Sequence, residues 1–521
     1  MAAQSEEIVG FMKNPASYPE CPSSVRFIET HISWVFLTDR HAYKLKKPVR
    51  FEFLDFSTVE LRHNACHEEL RLNRRLAPTV YIDVLAITQS AEGFRLGGDG
   101  DVIDWVVQMR RLPNEIALDA KVRNGSITAE QETAVTHYLS SFYAQLQPES
   151  ISPDSYRQSL ERHIRANRDA LTSGLPNVRA RIRSVHGSQL RFLHIERAVM
   201  DERVTSGRVV DGHGDLRPEH IYLETPPAII DCIEFSKELR QVDVADELSF
   251  LDMECLRLGN ASMGRLAIAT YQRECSDEIP PRLLDFYRSY RACVRAKVAV
   301  LRRQQETATN QLAGRALEMQ YLDLAECFSA KLGPPCVLIV GGLIGTGKST
   351  VARTIADALG AELLSTDAIR RSQLGASQSL TGYGEGNYRP ELRSQIYDAL
   401  TSQADSLLND KLSVILDGTF LAQNHRSQVY DLAARHGAVC LFLLCRCDRN
   451  TALSRIKERS RIGASESEAR AEFYDQQLRE FEPPRADEPT VMVDTTQVIP
   501  QQLYAVYTVL RQMLFGLAKS T

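Results

Sequence analysis

The stretch CVLIVGGLIGTGKST, residues 336–350, decides the fold of the C-terminal third of this chain. Its first residues are apolar and predict a buried strand, and GLIGTGKS (342–349) fits the spacing G-x-x-x-x-G-K-[ST]. The glycines of such a loop let backbone N–H groups close around phosphate oxygens at the start of a helix. The stretch therefore predicts a nucleotide-binding P-loop between a strand and a helix.

The residues expected to bind the nucleotide lie in this loop and at the start of the helix. Lys348 is predicted to reach the β- and γ-phosphates and to act in catalysis, and Ser349 is predicted to coordinate Mg²⁺. The predicted nucleotide contacts are Gly342, Gly345, Thr346, Gly347, Lys348, Ser349 and Thr350. ATP and Mg²⁺ are the expected cofactors.

From residue 336 onward, strand-like and helix-like segments alternate. The strand-like segments lie at 336–341, 362–366, 413–417, 439–445 and 490–494. Strands separated by helices predict a parallel sheet with helices on both faces. A last helix, 499–517, has an apolar stripe, which we expect to pack on the sheet rather than to bind a membrane or a partner.

Two carboxylates follow apolar strands and are expected at the carboxyl edge of the sheet, where ligands of open α/β sheets bind. Asp367, in STDAIR, is predicted to accept the proton of an acceptor hydroxyl, and Arg370 is predicted to bind anionic groups of that substrate. Asp367 could instead cap a helix. Asp417, in SVILDGTF, is predicted to orient Mg²⁺, with a turn-forming Asp-Gly as the alternative.

The segment LSRIKERSR (453–461) is helical and rich in arginine. Arg455 and Arg459 share one face, and Arg461 follows. We predict a lid whose arginines close on the triphosphate, with a solvated charged face as the alternative.

Residues 336–518 resemble the P-loop kinase group that includes polynucleotide 5′-hydroxyl kinases, gluconate-kinase-like enzymes and zeta-toxin-like phosphotransferases. The resemblance rests on GGLIGTGKST, STDAIR, YGEGNYRP, ILDGTF and RIKERSR. It implies that Asp367 is the general base. It also implies that the bound ATP and Mg²⁺ are surrounded by Lys348, Ser349, Asp417, Arg455 and Arg459. Members act on sugars, nucleotide sugars and nucleic-acid ends. Because acidic and basic residues nearly balance here, a small-molecule hydroxyl is favoured over a nucleic-acid end.

The first 330 residues have a different pattern. Strand-like runs at 34–38, 41–47, 80–87 and 104–111 surround one helical segment, and the chain after Pro113 is mostly helical. KLGPP (331–335) then ends a long helical stretch, since prolines cannot continue a helix. We therefore predict a small β-rich lobe (1–112), a helical lobe (113–330) and the P-loop domain (331–521).

VVDGHGDLRPEH (209–220) precedes a strand-like run that contains Asp231. Asp215 and Asp231 suit phosphoryl transfer, because one carboxylate can accept a hydroxyl proton while the other holds Mg²⁺. Lys44 is expected to bind phosphates, with Glu69 as its ion-pair partner. Ordinary surface charges are the alternative, since KLKK has three lysines and HEEL has two glutamates.

Residues 20–330 look like the aminoglycoside phosphotransferase (choline-kinase-like) family. The whole chain resembles bacterial bifunctional aminoglycoside-phosphotransferase and P-loop ATP-binding (AAA-family-ATPase-like) proteins. The motifs are ETHISWVFLTDRHAYKLKKPVRFEFLDFST, EELRLNRRLAP, HGDLRPEH and IDCIEFSKELRQVDVADEL. The resemblance implies Asp215 as catalytic base and Asp231 as Mg²⁺ ligand. It also implies that Asp243 and Asp246 shape the loop beneath them, although Asp243 could equally be only a helix N-cap.

The chain departs from that family at two points. His220 stands where the family has a metal-binding asparagine, and imidazole is a poorer ligand than a carbonyl oxygen for a hard cation. A clear glycine-rich phosphate loop before Lys44 is also missing. A nucleotide-binding or recognition module without catalysis is therefore the alternative to a second active kinase.

Composition sets the outer limits. With 521 residues the chain is too long for one core, so we expect a multidomain protein, α+β in its kinase-like part and α/β in its P-loop part. The net charge of -5 offers no large basic field for nucleic acid and so argues against a dedicated DNA-binding role. The 11 cysteines signal neither a disulfide framework nor a zinc site, and Cys445 and Cys447 are expected to be buried in a strand. With no membrane-spanning pattern, the cytoplasm is the expected compartment.

The sequence thus favours an ATP- and Mg²⁺-dependent phosphotransferase with two kinase-like modules. The alternative is a regulatory ATP-binding protein or ATPase with an inactive N-terminal module. The oligomeric state stays open.

Overall fold

The structure is a computed structural model, and it describes residues 2–51, 54–305, 311–374, 390–462 and 472–516. The chain divides into two compact units, residues 1–153 with 202–292 and residues 154–201 with 293–521. Two segments of the predicted helical lobe, 154–201 and 293–330, thus pack in the unit of the P-loop. The predicted lobe boundary at 112/113 lies inside the first unit and stays a prediction.

In the described residues, the strands are β1 (Arg26–Glu29), β2 (Ser33–Leu37), β3 (His41–Lys46), β4 (Arg50–Phe51), β5 (Leu54–Asp55), β6 (Tyr81–Ser90), β7 (Gly93–Leu96), β8 (Asp101–Arg110), β9 (Val209–Asp211), β10 (Ile221–Tyr222), β11 (Ala228–Ile229), β12 (Gln241–Asp243), β13 (Cys336–Gly341), β14 (Glu362–Ser365), β15 (Val414–Asp417), β16 (Val439–Arg446) and β17 (Thr490–Asp494). The helices are α1 (Ala2–Lys13), α2 (Val59–Asn73), α3 (Leu118–Arg123), α4 (Ala129–Gln145), α5 (Pro153–Gly174), α6 (Arg179–Ile195), α7 (Arg197–Thr205), α8 (Val244–Arg257), α9 (Ala261–Glu274), α10 (Pro281–Gln305), α11 (Gln311–Ser329), α12 (Lys348–Leu359), α13 (Thr366–Leu374), α14 (Pro390–Asn409), α15 (Gln423–Arg435), α16 (Arg449–Ile462), α17 (Glu472–Glu480) and α18 (Ile499–Phe515).

The first unit begins with an antiparallel six-stranded sheet in the order β1-β2-β3-β8-β6-β7. In β3, alternation buries Tyr43 and Leu45 on one face, in a core with Phe36 and Val106. Helix α2 packs on the other face, where Cys66 lies in a second core. These elements form the predicted β-rich lobe.

The helical part of the first unit contains two short antiparallel ladders, β9 with β12 and β10 with β11. Helices α4, α8 and α9 pack together behind them. The loops between these short strands contain Asp215 and Asp231, so the ladders fix the position of both carboxylates.

The second unit contains a parallel five-stranded sheet in the order β14-β15-β13-β16-β17. Side chains of β13 alternate between two cores, with Leu338 and Val340 on one face and Val337 and Ile339 on the other. Helices α12 and α18 cover the first face, and α14 and α15 cover the second. The predicted fold class, a two-lobed kinase-like domain followed by a P-loop domain with a parallel sheet, is confirmed by the order of the elements and by the two sheets.

The apolar stripe of α18 packs on the sheet, as predicted. Its residues Leu503, Val506 and Leu510 are buried in the core of the first face, and Met513 and Leu514 pack against that core. The remaining predicted stripe residue, Leu517, lies outside the described residues.

Helices α5 and α6 belong to the same unit as the parallel sheet. Ile195, at the end of α6, is buried in the core with β13. Arg191 donates to Ser413 Oγ (3.0 Å) and to the Gly333 carbonyl (2.8 Å), which flank β15 and β13. The packed unit of the P-loop therefore includes a segment more than a hundred residues upstream of it.

All 11 cysteines are free thiols. Cys445 is buried in β16, as predicted, whereas the prediction for Cys447 is wrong, because β16 ends at Arg446 and Cys447 is half-buried in the loop beyond it. Among the described residues, no helix combines the length and the apolar character that a bilayer crossing requires.

Candidate functional site

The loop after β13 has the geometry that its glycines predict. Gly342, Gly345 and Gly347 have φ angles of 134°, 79° and 81°, a region that other residues rarely adopt. A Cβ on Gly345 would lie 2.6 Å from the carbonyl oxygen of Ala452 in α16, so a side chain has no room there. The backbone therefore turns tightly from the strand into α12, which begins at Lys348.

Lys348 and Ser349 lie where the P-loop assignment needs them. The Lys348 ammonium donates to the Leu343 carbonyl at 2.7 Å, across the loop itself. The Ser349 hydroxyl forms a hydrogen bond with the Asp417 carboxylate at the end of β15. Burial raises the pKa of Asp417, although Ser349 and the Lys348 charge act in the opposite direction. Thr346 and Thr350 complete the loop, and Thr346 donates to the Leu343 carbonyl at 2.7 Å.

A hydroxyl and a carboxylate are hard oxygen ligands, which Mg²⁺ prefers. Ser349 and Asp417 therefore fit the predicted cation. The described residues contain no group of three or more His, Cys, Asp or Glu side chains that could hold a metal ion by themselves. A kinase site does not need such a group, because phosphate oxygens and water complete the coordination of Mg²⁺.

Asp367 and Arg370 lie at the same edge of the sheet. Ser365, the last residue of β14, pairs in register with Asp417. Asp367 follows in the first turn of α13, close enough to Asp417 to raise its pKa further. Its carboxylate pairs with Arg370 at 2.6 Å, and its N–H donates to Ser365 Oγ at 3.3 Å. Since Asp367 lies inside the helix, its geometry does not match the alternative of an N-cap.

The predicted lid begins in α16. Arg455 donates to Thr495 Oγ1 (3.0 Å) and to the Thr495 carbonyl (2.9 Å), and its guanidinium lies 3.3 Å from the place of a Cβ on Gly347. Arg459 and Arg461 continue the same helix, but their side chains lie outside the described residues, as does the 383–389 part of YGEGNYRP. The structure thus brings one predicted arginine to the P-loop.

The sequence missed one P-loop partner. Gln477, buried in α17, accepts the Ile344 N–H at 2.8 Å and so holds the backbone of the loop. Nothing in the local sequence distinguishes this glutamine from its neighbour in DQQL.

In the first unit, the predicted pair of Lys44 and Glu69 is present. The Lys44 ammonium lies 2.8 Å from Glu69 Oε1 and 2.6 Å from Asp231 Oδ1. Lys46, which the sequence could not distinguish from Lys44, also pairs with Glu69 (2.7 Å) and with Glu234. Both lysines point into the same site, so they are not ordinary surface charges.

The charges of this network stabilise one another. Burial acts to raise the pKa of Asp231, but the Lys44 ammonium, 2.6 Å away, outweighs it and holds the pKa well below its usual range. The pKa of the buried Glu69 is likewise lowered, because Lys44 and Lys46 outweigh its desolvation. The pKa of Lys44 is raised well above normal by the same carboxylates, despite burial.

Asp215 lies in the loop after β9, and Glu247 of α8 holds that loop from beneath. The Glu247 carboxylate accepts the N–H groups of His213 (2.9 Å) and Gly214, and the Tyr143 hydroxyl at 2.8 Å. The sequence analysis missed Glu247, although its place one helical turn after Asp243 was a usable signal.

Asp243 and Asp246 both pair with buried arginines, and the arginine of Asp246 reaches the loop. Asp246 forms a two-bond pair with Arg291 (2.8 and 2.7 Å), which also donates to the Gly214 carbonyl. Asp243 pairs with Arg203 (2.9 and 2.7 Å) and also accepts the Ala245 N–H as the N-cap of α8. The N-cap alternative for Asp243 is therefore present, while Arg203 pairs further with Asp277 and the loop-shaping role of Asp243 stays a prediction.

Comparisons with known proteins assign the chain to a family. Residues 337–484 match the family model described as an AAA domain. The uncharacterized protein Rv2004c of Mycobacterium tuberculosis is 33% identical over 462 residues, which are 85% of this chain and 88% of the relative. The chain belongs to the family of that mycobacterial protein.

Two solved structures illustrate the likeness of each part. A gluconokinase from Sinorhizobium meliloti is 22% identical and covers 34% of this chain and 94% of its own, with a TM-score of 0.26. Aminoglycoside 2′-phosphotransferase-IIIa, solved with GDP, is 13% identical and covers 61% of this chain and 98% of its own, with a TM-score of 0.37. At these identities the similarity concerns the fold alone.

Proposed function

We propose that the P-loop domain is an ATP- and Mg²⁺-dependent kinase that transfers the γ-phosphate to a hydroxyl of a small molecule. One observation carries the proposal, namely that Lys348, Ser349, Asp417 and the Asp367–Arg370 pair meet at one edge of the sheet. A nucleotide switch needs the first three groups. A carboxylate with an adjacent arginine suits, in addition, an acceptor that must lose a proton.

The proposed roles follow from the chemistry of each side chain. The acceptor oxygen forms a bond to the γ-phosphorus while the bond to the bridging oxygen breaks, and its electron pair leaves with ADP. Asp367 takes the acceptor proton, and Lys348 and Arg455 neutralise charge on the phosphates. Mg²⁺, when bound, supplies further neutralisation, and Ser349 and Asp417 would hold it. Arg370 orients Asp367 and is placed to bind an anionic group of the acceptor.

For the first unit we propose that the Lys44–Glu69 pair binds a nucleotide and that the carboxylates of Asp215 and Asp231 lie next to its phosphates. The balanced charge supports a small-molecule acceptor over a nucleic-acid end, and the cytoplasm over a membrane, as the place of action. A regulatory ATP-binding protein is the competing function.

The test is ATP turnover by the full-length protein with and without a pool of cell metabolites. We expect metabolite-stimulated turnover in the wild type, none in Lys348→Ala, and a loss of about 10²–10⁴-fold in Asp367→Asn if it is the base. Lys331→Ala, a lysine outside the loop, is the matched control, and Asp215→Asn reports on the first unit. Tight ATP binding without stimulated turnover in any pool would overturn the kinase assignment in favour of the regulatory one.

A further inference from the structure

The guanidinium of Arg217 lies at the centre of the carboxylate site in the first unit. Its Nε and one terminal nitrogen lie 2.9 and 2.8 Å from Asp215 Oδ2, and the other terminal nitrogen pairs with Glu219. The nitrogen next to Asp215 also lies 3.0 Å from His220 Nε2. The Arg217 side chain is only 11% exposed, so its guanidinium is surrounded mainly by the polar groups of this site rather than by water.

These contacts define the state of His220. Arginine can only donate hydrogen bonds, so His220 Nε2 must accept and cannot carry a proton. His220 Nδ1 lies 3.0 Å from the Asp215 carbonyl, which can only accept, so Nδ1 carries the proton. The lone pair of Nε2 is therefore engaged by Arg217.

The same lone pair would be needed by a metal ion. Nε2 lies 3.5 Å from Asp231 Oδ2, a separation from which the two atoms could chelate one divalent cation. A cation there would compete with the guanidinium for Nε2 and would meet its positive charge in a partly buried site, where repulsion is screened far less than in water. The residues present at His220 thus do not fit the metal site that the family resemblance implies.

We propose that the Arg217 guanidinium is a permanent positive charge at the carboxylate site of the first unit. Its guanidinium holds Asp215 and His220 together and excludes a divalent metal ion from the pair formed by His220 and Asp231. Asp231 remains 45% exposed and keeps Oδ2 available, so a cation can contact this carboxylate alone. The first unit therefore does not assemble a two-residue metal site, whatever the activity of the P-loop domain.

The test titrates full-length, nucleotide-free protein with Mn²⁺ alone and reads bound metal by electron paramagnetic resonance, including the coupling to a histidine nitrogen. In the wild type and in Arg217→Lys, which keeps the charge, we expect no Mn²⁺ with histidine coupling from His220. In Arg217→Ala and Arg217→Gln we expect such a signal, with affinity raised at least about tenfold by removal of the adjacent charge. Arg110→Ala, which removes an arginine paired with Glu224 outside the site, should bind Mn²⁺ like the wild type.

The double variant Arg217→Ala/His220→Ala assigns the signal, because it must lose the histidine coupling. Histidine-coupled Mn²⁺ in the wild type that disappears in His220→Ala would overturn the proposal, and this comparison needs no Arg217 variant to fold. A folded Arg217→Gln without the gain would also overturn it. Because the readout is metal binding, failure here leaves the proposed kinase activity untouched, and failure of that activity leaves this result untouched.

Discussion

Neighbouring lysines of the KLKK segment have opposite surroundings. Lys46 is completely buried and lies between Glu69 and Glu234, whereas Lys47 pairs with an exposed Glu29. Replacing Lys46 by Met leaves Glu69 with Lys44 alone and removes the paired cation of the buried Glu234, which should cost about 3–5 kcal/mol. Lys47→Met should cost less than about 1 kcal/mol, as surface pairs do.

Urea denaturation followed by tryptophan fluorescence measures the loss in free energy of unfolding for both variants, and it does so for the first compact unit. The chain has two tryptophans, Trp34 in β2 and Trp105 in β8, so the signal reports on the sheet that contains both lysines. Equal shifts of the midpoint in Lys46→Met and Lys47→Met would show that the buried network does not stabilise this unit.

The Asp417 carboxylate is expected to trade stability for function. Burial raises the pKa of the Asp417 carboxyl in the folded state above its pKa in the unfolded chain. The contribution of this carboxyl to the free energy of unfolding is therefore complete below the pKa of the unfolded chain and is lost as the pH rises through the pKa of the folded state. At pH 7 the ionised group therefore costs stability. Asp417→Asn should raise the free energy of unfolding at pH 7 by about 0.5–2 kcal/mol while abolishing turnover.

Neither tryptophan lies in the unit of the P-loop, so tryptophan fluorescence does not report on the unfolding of this unit. Calorimetry measures the effect instead. The gain from Asp417→Asn should shrink as the pH falls toward about 4, where the wild-type carboxyl also becomes neutral. Asp410→Asn, at an exposed site, serves as the control and should change neither stability nor turnover. A lower melting temperature for Asp417→Asn at pH 7 would contradict this account.

At the scale of elements, α16 acts on the P-loop by direct contact. Ile344 of the loop shares a small core with Ala452 and Ile456 of α16 and with Phe473 of α17. Helix α16, the predicted lid, therefore contacts the loop through its first two turns, which also contain Arg455. A change in the loop backbone should reach the lid through these contacts.

Gly345→Ala tests this coupling. The new methyl group would strain a residue with φ of 79° and would collide with the Ala452 carbonyl, so α16 or the loop must shift. We expect loss of ATP binding by at least about tenfold and a stability cost above the roughly 1–2 kcal/mol of the backbone strain alone. Isothermal titration and calorimetry measure the two effects.

Gly437→Ala is the matched control for that variant. Gly437 has a similar φ of 61°, but a methyl group there meets open space. It should therefore show the strain cost without the loss of ATP binding. Equal ATP affinity in Gly345→Ala and Gly437→Ala would mean that contact with α16 does not shape the loop.

At the scale of the whole molecule, the compact unit that contains the P-loop also includes residues 154–201, far upstream of the loop. Its core includes Ile195 of α6, and Arg165 of α5 lies 3.1 Å from Asp357 of α12. A fragment of residues 331–521 lacks α5, α6 and α11 and would expose this apolar surface. We expect it to aggregate or to melt at a lower temperature than the same unit in the full chain.

A point variant of the full chain separates packing from chain length. Ile195→Ala should cost about 2–4 kcal/mol in the calorimetric transition that ATP moves to higher temperature, because it leaves a cavity in the core of the sheet. Arg179→Ala, exposed on the same helix, should change that transition by less than about 0.5 kcal/mol. A fragment of 331–521 as stable as the full chain would show that α6 is dispensable for this fold.

The sequence by itself determined the parts of the protein that depend on local order along the chain. The P-loop, the five parallel strands and α18 follow from glycine spacing and apolar periodicity, which are properties of adjacent residues. For the same reason Asp367 and Asp417 could be placed at the edge of the sheet, since Asp417 ends β15 and Asp367 lies two residues beyond the end of β14.

Only the tertiary structure decided which distant residues meet. Lys44 and Asp231 are 187 positions apart, and Arg191 and Ser413 are 222 apart, so no local pattern signals either contact. Packing also decided that Lys46 shares Glu69 with Lys44 and that α6 joins the P-loop unit. These outcomes depend on the burial of charges and apolar surface, which is a property of the folded chain rather than of any segment.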